Sequence, residues 1–228
     1  MGCDRVVDVD GLGALAARQH GTFSLQDLRD LGVSTAAIRH RVAAGRWTRE
    51  LPRVYGLVGH HQSWERRLWI AHLNAGPDSV IATNSAARLQ GAAEAFADRI
   101  ELLVPGNRGK APPGVRWQRT IDLVEDDIVR VDGLPPMTTP ARTAVDLAGW
   151  ITINRLRRFV ESGVLERRFT LIEVGAVLGR VRRSGKPGVT KLCRVLDDLG
   201  PGDGLTRSEL ERLGDGVIRL AGLPAPVR

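Results

Sequence analysis

Between residues 23 and 45 the chain carries two capped-helix patterns in direct succession, and this constrains its fold more than any other feature. Ser24 stands as an N-cap with Asp27 three residues on, the spacing of a capping box, and Phe23 and Leu28 take the positions of a hydrophobic staple. Leu25, Leu28 and Leu31 line one face, and Gly32 stops the helix. Ser34 then caps a second helix. Val33 and Ile38 form its staple, Ile38 and Val42 face inward, and Gly45 ends it. Ahead of both, Asp10 to His20 reads as a helix burying Leu12, Leu15 and Ala16, closed by Gly21. Two short capped helices with a tight Gly-bearing turn, behind a first helix, make a helix-turn-helix.

Arg46 to Glu50, a turn at Leu51-Pro52, and Arg53 to Val58 follow. Trp47, Val54 and Tyr55 around a Pro-bearing turn predict a β-hairpin, the wing of a winged helix-turn-helix. With Ile38 and Val42 inward, the helical turn of about 100° per residue leaves Ala36 and His40 on the open face, flanked by Arg39 and Arg41. Small Ala36 and Ala43 permit close approach to a major groove, where an arginine pairs bidentately with guanine. Ser34 and Thr35 at the helix start join the candidate DNA-binding set. Arg46, Arg49 and Arg53 on the wing suit phosphates or a minor groove. From Val33 to Arg53 there are five arginines and one acid, Glu50. The bland alternative is a solvated face on a winged fold that serves protein contact.

Composition agrees with a folded, anion-seeking protein. Of 228 residues 43% are hydrophobic, enough for one or two packed cores, and the 26% charged is ordinary for globular chains. The net charge of +7 favours a polyanion. The basic residues are mostly Arg beside abundant Ala and Gly, which a GC-rich genome produces without any selection for binding. No run approaches eighteen apolar residues, so no membrane span is expected. Met1 to Asp10 lacks the pattern of an export signal. Gly2-Cys3 falls short of an acylation motif, since Val6 stands where Ser or Thr is required. Cys3 and Cys193 fit no zinc or redox spacing, and a reduced cytoplasm is the expected compartment. His60, His61 and His72 lack the carboxylates or thiols that would complete a metal set. No cofactor is expected.

Further along, Ser63 to Gly76 predicts a helix capped by Ser63, with Trp64, Leu68 and His72 spaced as core. Val80 to Thr83 predicts a strand, and Asn84 the cap of a brief helix to Gly91. Arg99 to Val104 and Val115 to Gln118 predict two strands. The intervening loop, with Arg108 and Lys110, reads as a solvated hairpin tip or a DNA-touching loop. Asp127 to Val131 is a further pairing segment. Thr139 caps a helix with Pro140 at its first position, and on it Arg142 and Asp146 have the spacing of an ion pair. Helices are expected over Thr152–Ser162, Thr170–Arg180 and Gly188–Leu199. From Arg155 to Arg194 there are eleven basic and three acidic residues. A second DNA surface, a face for an acidic partner and plain solvation of helices all fit that bias. Gly200 to Gly204 is a breaker.

The stretch from His20-Gly21 through Gly45, continuing to Arg53-Val54-Tyr55-Gly56-Leu57, resembles the N-terminal domain of AbiEi-family antitoxins of type IV toxin–antitoxin and abortive-infection systems. The likeness continues in Asn84-Ser85-Ala86-Ala87, in Ile100 to Pro105, and most specifically in Thr138 to Ala148, a run typical of actinobacterial members. It implies a regulator that represses its own operon and opposes a nucleotidyltransferase toxin. In many such proteins a domain similar to very-short-patch repair endonucleases follows, and Ser208-Glu209-Leu210-Glu211 with Gly222 to Pro226 matches its opening. Glu209 and Glu211 lie two apart, so on a helix they diverge by about 200° and share no metal. No enzyme activity is expected.

The resulting expectation is an α+β chain. A winged helix-turn-helix (1–59) binds double-stranded DNA, an α/β segment (60–150) and a basic helical segment (151–205) follow, and 206–228 form the leading helix of an incomplete nuclease-like domain. The alternative is a DNA-targeted endonuclease relative with a truncated catalytic domain.

Overall fold

The computed structural model describes residues 8–92, 98–106, 109–182 and 186–200. Arg108 and the nuclease-like pattern of residues 208–226 lie outside the described residues. The protein is mixed α and β, with two sheets, and divides into two compact units: residues 1–81 with 98–137, and residues 82–97 with 138–228.

The first unit begins with α1 (Val9–Arg18), capped by the Asp8 carboxylate, which accepts from Gly11 N at 2.8 Å. Then come β1 (Thr22–Ser24), α2 (Leu25–Asp30), α3 (Thr35–Ala43), and the strands β2 (Trp47–Leu51) and β3 (Val54–Leu57). The capping box of α2 is formed in both directions, Ser24 with Asp27, and Ser34 Oγ accepts from Ala37 N at 3.1 Å. Phe23 and Leu28, Val33 and Ile38 are all buried in one core with Leu15 and Trp47. Leu12 and Ala16 pack on this core only partly buried.

The hairpin gains a strand that the sequence did not announce. Phe23, expected only as a staple, lies in β1, which pairs antiparallel with β3 to give the sheet order β1-β3-β2. A three-residue strand is too short to display a period of two.

The helix α4 (Trp64–Ala75) leads into a five-stranded sheet ordered β6-β5-β4-β8-β7, built from β4 (Val80–Ile81), β5 (Ile100–Pro105), β6 (Val115–Thr120), β7 (Ile128–Val129) and β8 (Met137–Thr138). β5 and β6 run parallel, in register from Ile100↔Val115 to Pro105↔Thr120. The hairpin expectation for the loop between them is therefore corrected. Returning along six residues of strand takes roughly 20 Å, which the nine-residue connection spans without a helix.

The second unit is helical: α5 (Thr83–Leu89), α6 (Pro140–Leu147), α7 (Ile153–Leu165), α8 (Leu171–Val181) and α9 (Val189–Leu199). Asn84 lies inside α5 rather than capping it; the cap position is Ala82, without a side-chain bond. Thr139 caps α6 and Pro140 opens it, as expected. Residues 141–148 are all buried, so α6 is the axis around which the unit packs. Gly188, at φ +85°, lies so close to the Ala148 backbone that any side chain there would overlap it. The Arg142–Asp146 pair, spaced for a surface bridge, is buried: Arg142 Nε donates to Asp146 Oδ2 at 2.8 Å, and Lys186 Nζ lies 3.6 Å from the other oxygen.

Candidate nucleic-acid interface

The candidate surface is built on α3 and the hairpin. Ile38 is buried and Val42 half-buried, which turns Thr35, Ala36, Arg39, His40 and Ala43 outward; Ser34 is exposed at the helix start. Arg46, Arg49 and Arg53 on the hairpin are exposed as well. None of Arg39, Arg46, Arg49 and Arg53 is drawn into an ion pair among the described residues.

Arg41 differs from the other four arginines of this stretch. Its guanidinium lies over the Trp47 ring at 5.2 Å and its Nη1 donates to the Ala37 carbonyl at 3.3 Å, while Trp47 packs against Phe23 with ring centroids 5.6 Å apart. Its cation is used to seat α3 on the hairpin, a stacked contact that lysine does not reproduce.

The hairpin places its charges by register. Alternation sets Trp47 and Arg49 on one face of β2 and Thr48 on the other, so Arg49 shares the side on which Trp47 meets α3. Between Arg49 and Leu51 the register slips, leaving Glu50 as the extra residue of a bulge. Glu50 lies on the side of Thr48, accepting from Thr48 Oγ1 at 2.6 Å. The one carboxylate of this stretch thus lies on the face opposite Arg49. The turn itself is Pro52-Arg53, with Arg53 at φ +65°, and the Arg53 carbonyl accepts from Leu25 N at 2.8 Å. Proline before a positive φ is a familiar turn pairing, although glycine or asparagine is the usual second residue.

One residue of this region escaped sequence reasoning. Arg66, in the first turn of α4, is fully buried, and its guanidinium donates to the His20 carbonyl (2.9 Å), the Gly21 carbonyl (3.2 Å) and Glu50 Oε1 (2.6 Å). No local signal separates it from Arg67, its exposed neighbour, which lies over the Trp64 ring.

The histidines assemble no metal centre: no grouping of three or more potential ligands occurs among the described residues. His72 is buried, its Nδ1 2.9 Å from Ser79 Oγ, and burial pushes its pKa down to about 4. His60 is also lowered, by desolvation first and then by the positive Arg66. No helix of the described residues is long and apolar enough to cross a membrane.

No curated protein matches the chain. Two family models do. Residues 12–57, which include α3 and the whole hairpin, match a family described as transcriptional regulator, AbiEi antitoxin. Residues 79–161 match the AbiEi antitoxin C-terminal domain. The chain is thus similar to AbiEi antitoxin transcriptional regulators in its N-terminal part and to the AbiEi antitoxin C-terminal domain further on, in that order.

Proposed function

We propose that residues 1–59 form a winged helix-turn-helix that binds double-stranded DNA, with α3 in the major groove and the β2–β3 hairpin against the backbone. The chain then acts in the cytoplasm as an antitoxin-type regulator repressing its own operon, without catalysing a reaction. A nucleotidyltransferase toxin is the partner that the family resemblance suggests. The observation that carries the reading is the set of exposed arginines 39, 46, 49 and 53, none in an ion pair among the described residues, around a helix face of small residues. Free cations gain most from displacing the counterions condensed on DNA.

Titration of the full chain with the promoter duplex of its own gene tests this. If four to five phosphates are neutralised, log K falls against log salt with a slope of about −4. Arg39→Glu is expected to erase the preference for that duplex over an unrelated one. Arg49→Ala should weaken both duplexes alike and lower the slope by about one. A salt-independent affinity, or one indifferent to Arg39→Glu, sinks the proposal.

A further inference from the structure

Arg66 lies in the gap between the two matched segments, outside the helix-turn-helix itself, yet its side chain reaches into the hairpin. We infer that Arg66 is a positioning residue for DNA binding: by holding the Glu50 carboxylate on the rear of the hairpin, it keeps the side bearing Arg49 free of negative charge. The inference rests on the DNA-binding reading above and assigns that function a residue beyond α3 and the hairpin.

The geometry is specific. A buried guanidinium needs acceptors for its protons, and the two terminal nitrogens of Arg66 find two carbonyls at the α1–β1 corner and one carboxylate on the bulge of β2, while its Nε finds none. It therefore ties α4, the corner and the hairpin together through one planar group, which a lysine ammonium, a point donor, cannot replace. Gly56 makes the arrangement possible. It pairs with Thr48 across β2–β3 and with Thr22 across β1–β3, and a Cβ there would overlap both Arg66 Nη2 and Glu50 Oε1. A second tie, Asn74 Nδ2 to the Pro52 carbonyl at 3.2 Å, holds the hairpin turn to the same helix.

The electrostatic consequence follows from the bulge. Glu50 is flanked by Arg49 and faces Thr48, so once released from Arg66 its carboxylate keeps only the Thr48 hydroxyl and can turn toward the exposed arginines. There it would neutralise one of them and repel phosphate. A carboxylate among phosphate-binding cations acts through screened charge, so its effect fades as salt rises. Loss of folding is read separately, by circular dichroism at each salt concentration.

The test measures affinity of the full chain for a fluorescein-labelled random-sequence duplex at low and high salt, with circular dichroism reporting the fold. Arg66→Met is expected to weaken binding about tenfold at low salt and much less at high salt. Adding Glu50→Gln to Arg66→Met should restore most of the affinity, because the double variant leaves no free carboxylate. Gly56→Ala forces the pair apart with both charges retained. It should show the same salt-sensitive loss and the same rescue by Glu50→Gln, and it carries the test if Arg66→Met fails to fold. Folded variants that bind like the parent overturn the inference and leave the DNA reading standing. A loss that Glu50→Gln does not rescue overturns it as well. A parent chain that binds no duplex overturns both.

Discussion

The two arginine-rich regions of this molecule teach that a charge count says little about what the charge is for. Residues 155–194 carry the stronger bias, yet many of those cations are engaged inside their own unit. Arg157 pairs with Asp198. Arg168 pairs with Glu166 and covers the Phe159 ring. Lys186 approaches Asp146, and Lys191 donates to the Ile151 carbonyl at 2.6 Å. Residues 33–53 have fewer basic side chains, but four of their five arginines stand in solvent without an ion pair, and the local acid is held elsewhere. The helical region spends part of its charge inside its own unit and leaves Arg158, Arg167, Arg182 and Arg194 exposed, whereas in residues 33–53 only Arg41 is engaged.

The sharpest way to break this contrast is at the buried pair of the second unit. Asp146→Ala removes the carboxylate between Arg142 and Lys186, and stranding buried positive charge costs about 3–5 kcal/mol. Denaturant unfolding should register that loss. A cost under about 1 kcal/mol would mean that these cations are not structural in the way the contrast requires.

Acid probes the first unit instead. The folded pKa of His72 is about 4, below the unfolded value of 6.5, so as pH falls below 6.5 the unfolded chain takes up a proton that the folded chain refuses. Stability should therefore be full above pH 6.5, decline as pH falls, and stop declining on this account near pH 4. Each pH unit is worth about 1.4 kcal/mol, or about 2 kcal/mol between pH 6.5 and 5. Melting temperatures of the parent and His72→Gln across that window check the sign: the variant should lose the slope.

The smallest effect is the most discriminating for function. Arg157→Gln removes a half-exposed bridge to Asp198 and should cost between about 0 and 1 kcal/mol. Its affinity for duplex DNA should equal that of the parent, whereas Arg49→Ala loses affinity without losing stability. Equal loss of DNA binding in both variants would erase the distinction between the regions.

Much of this was legible in the sequence wherever physics is local. The capping residues Ser24 with Asp27, Ser34, Ser63 and Thr139 with Pro140 each act within three or four residues of themselves, so their letters announce the helix starts that the structure contains. The staple residues were readable for the same reason. The strands β1 and β8 were not, because Phe23 and Ser24 read as the staple and cap of α2, and Thr138 runs straight into the cap of α6 at Thr139. The parallel course of β5 and β6 was also hidden, since a nine-residue connection is equally compatible with a hairpin.

By itself, then, the sequence determined where α2 and α3 begin and end, and which face of α3 carries arginine. Those features depend on side chains bonding to backbone one turn away and on a fixed helical period. Only the tertiary structure decided which arginines stay free. Arg66 and Arg67 are the same letter side by side, yet one is sealed behind the hairpin against Glu50 and the other lies exposed over Trp64. Arg39 and Arg41 are two apart on one helix, and Trp47 claims only the second. The partners that make the difference lie on other elements, and a buried charge takes whichever partner the fold brings to it.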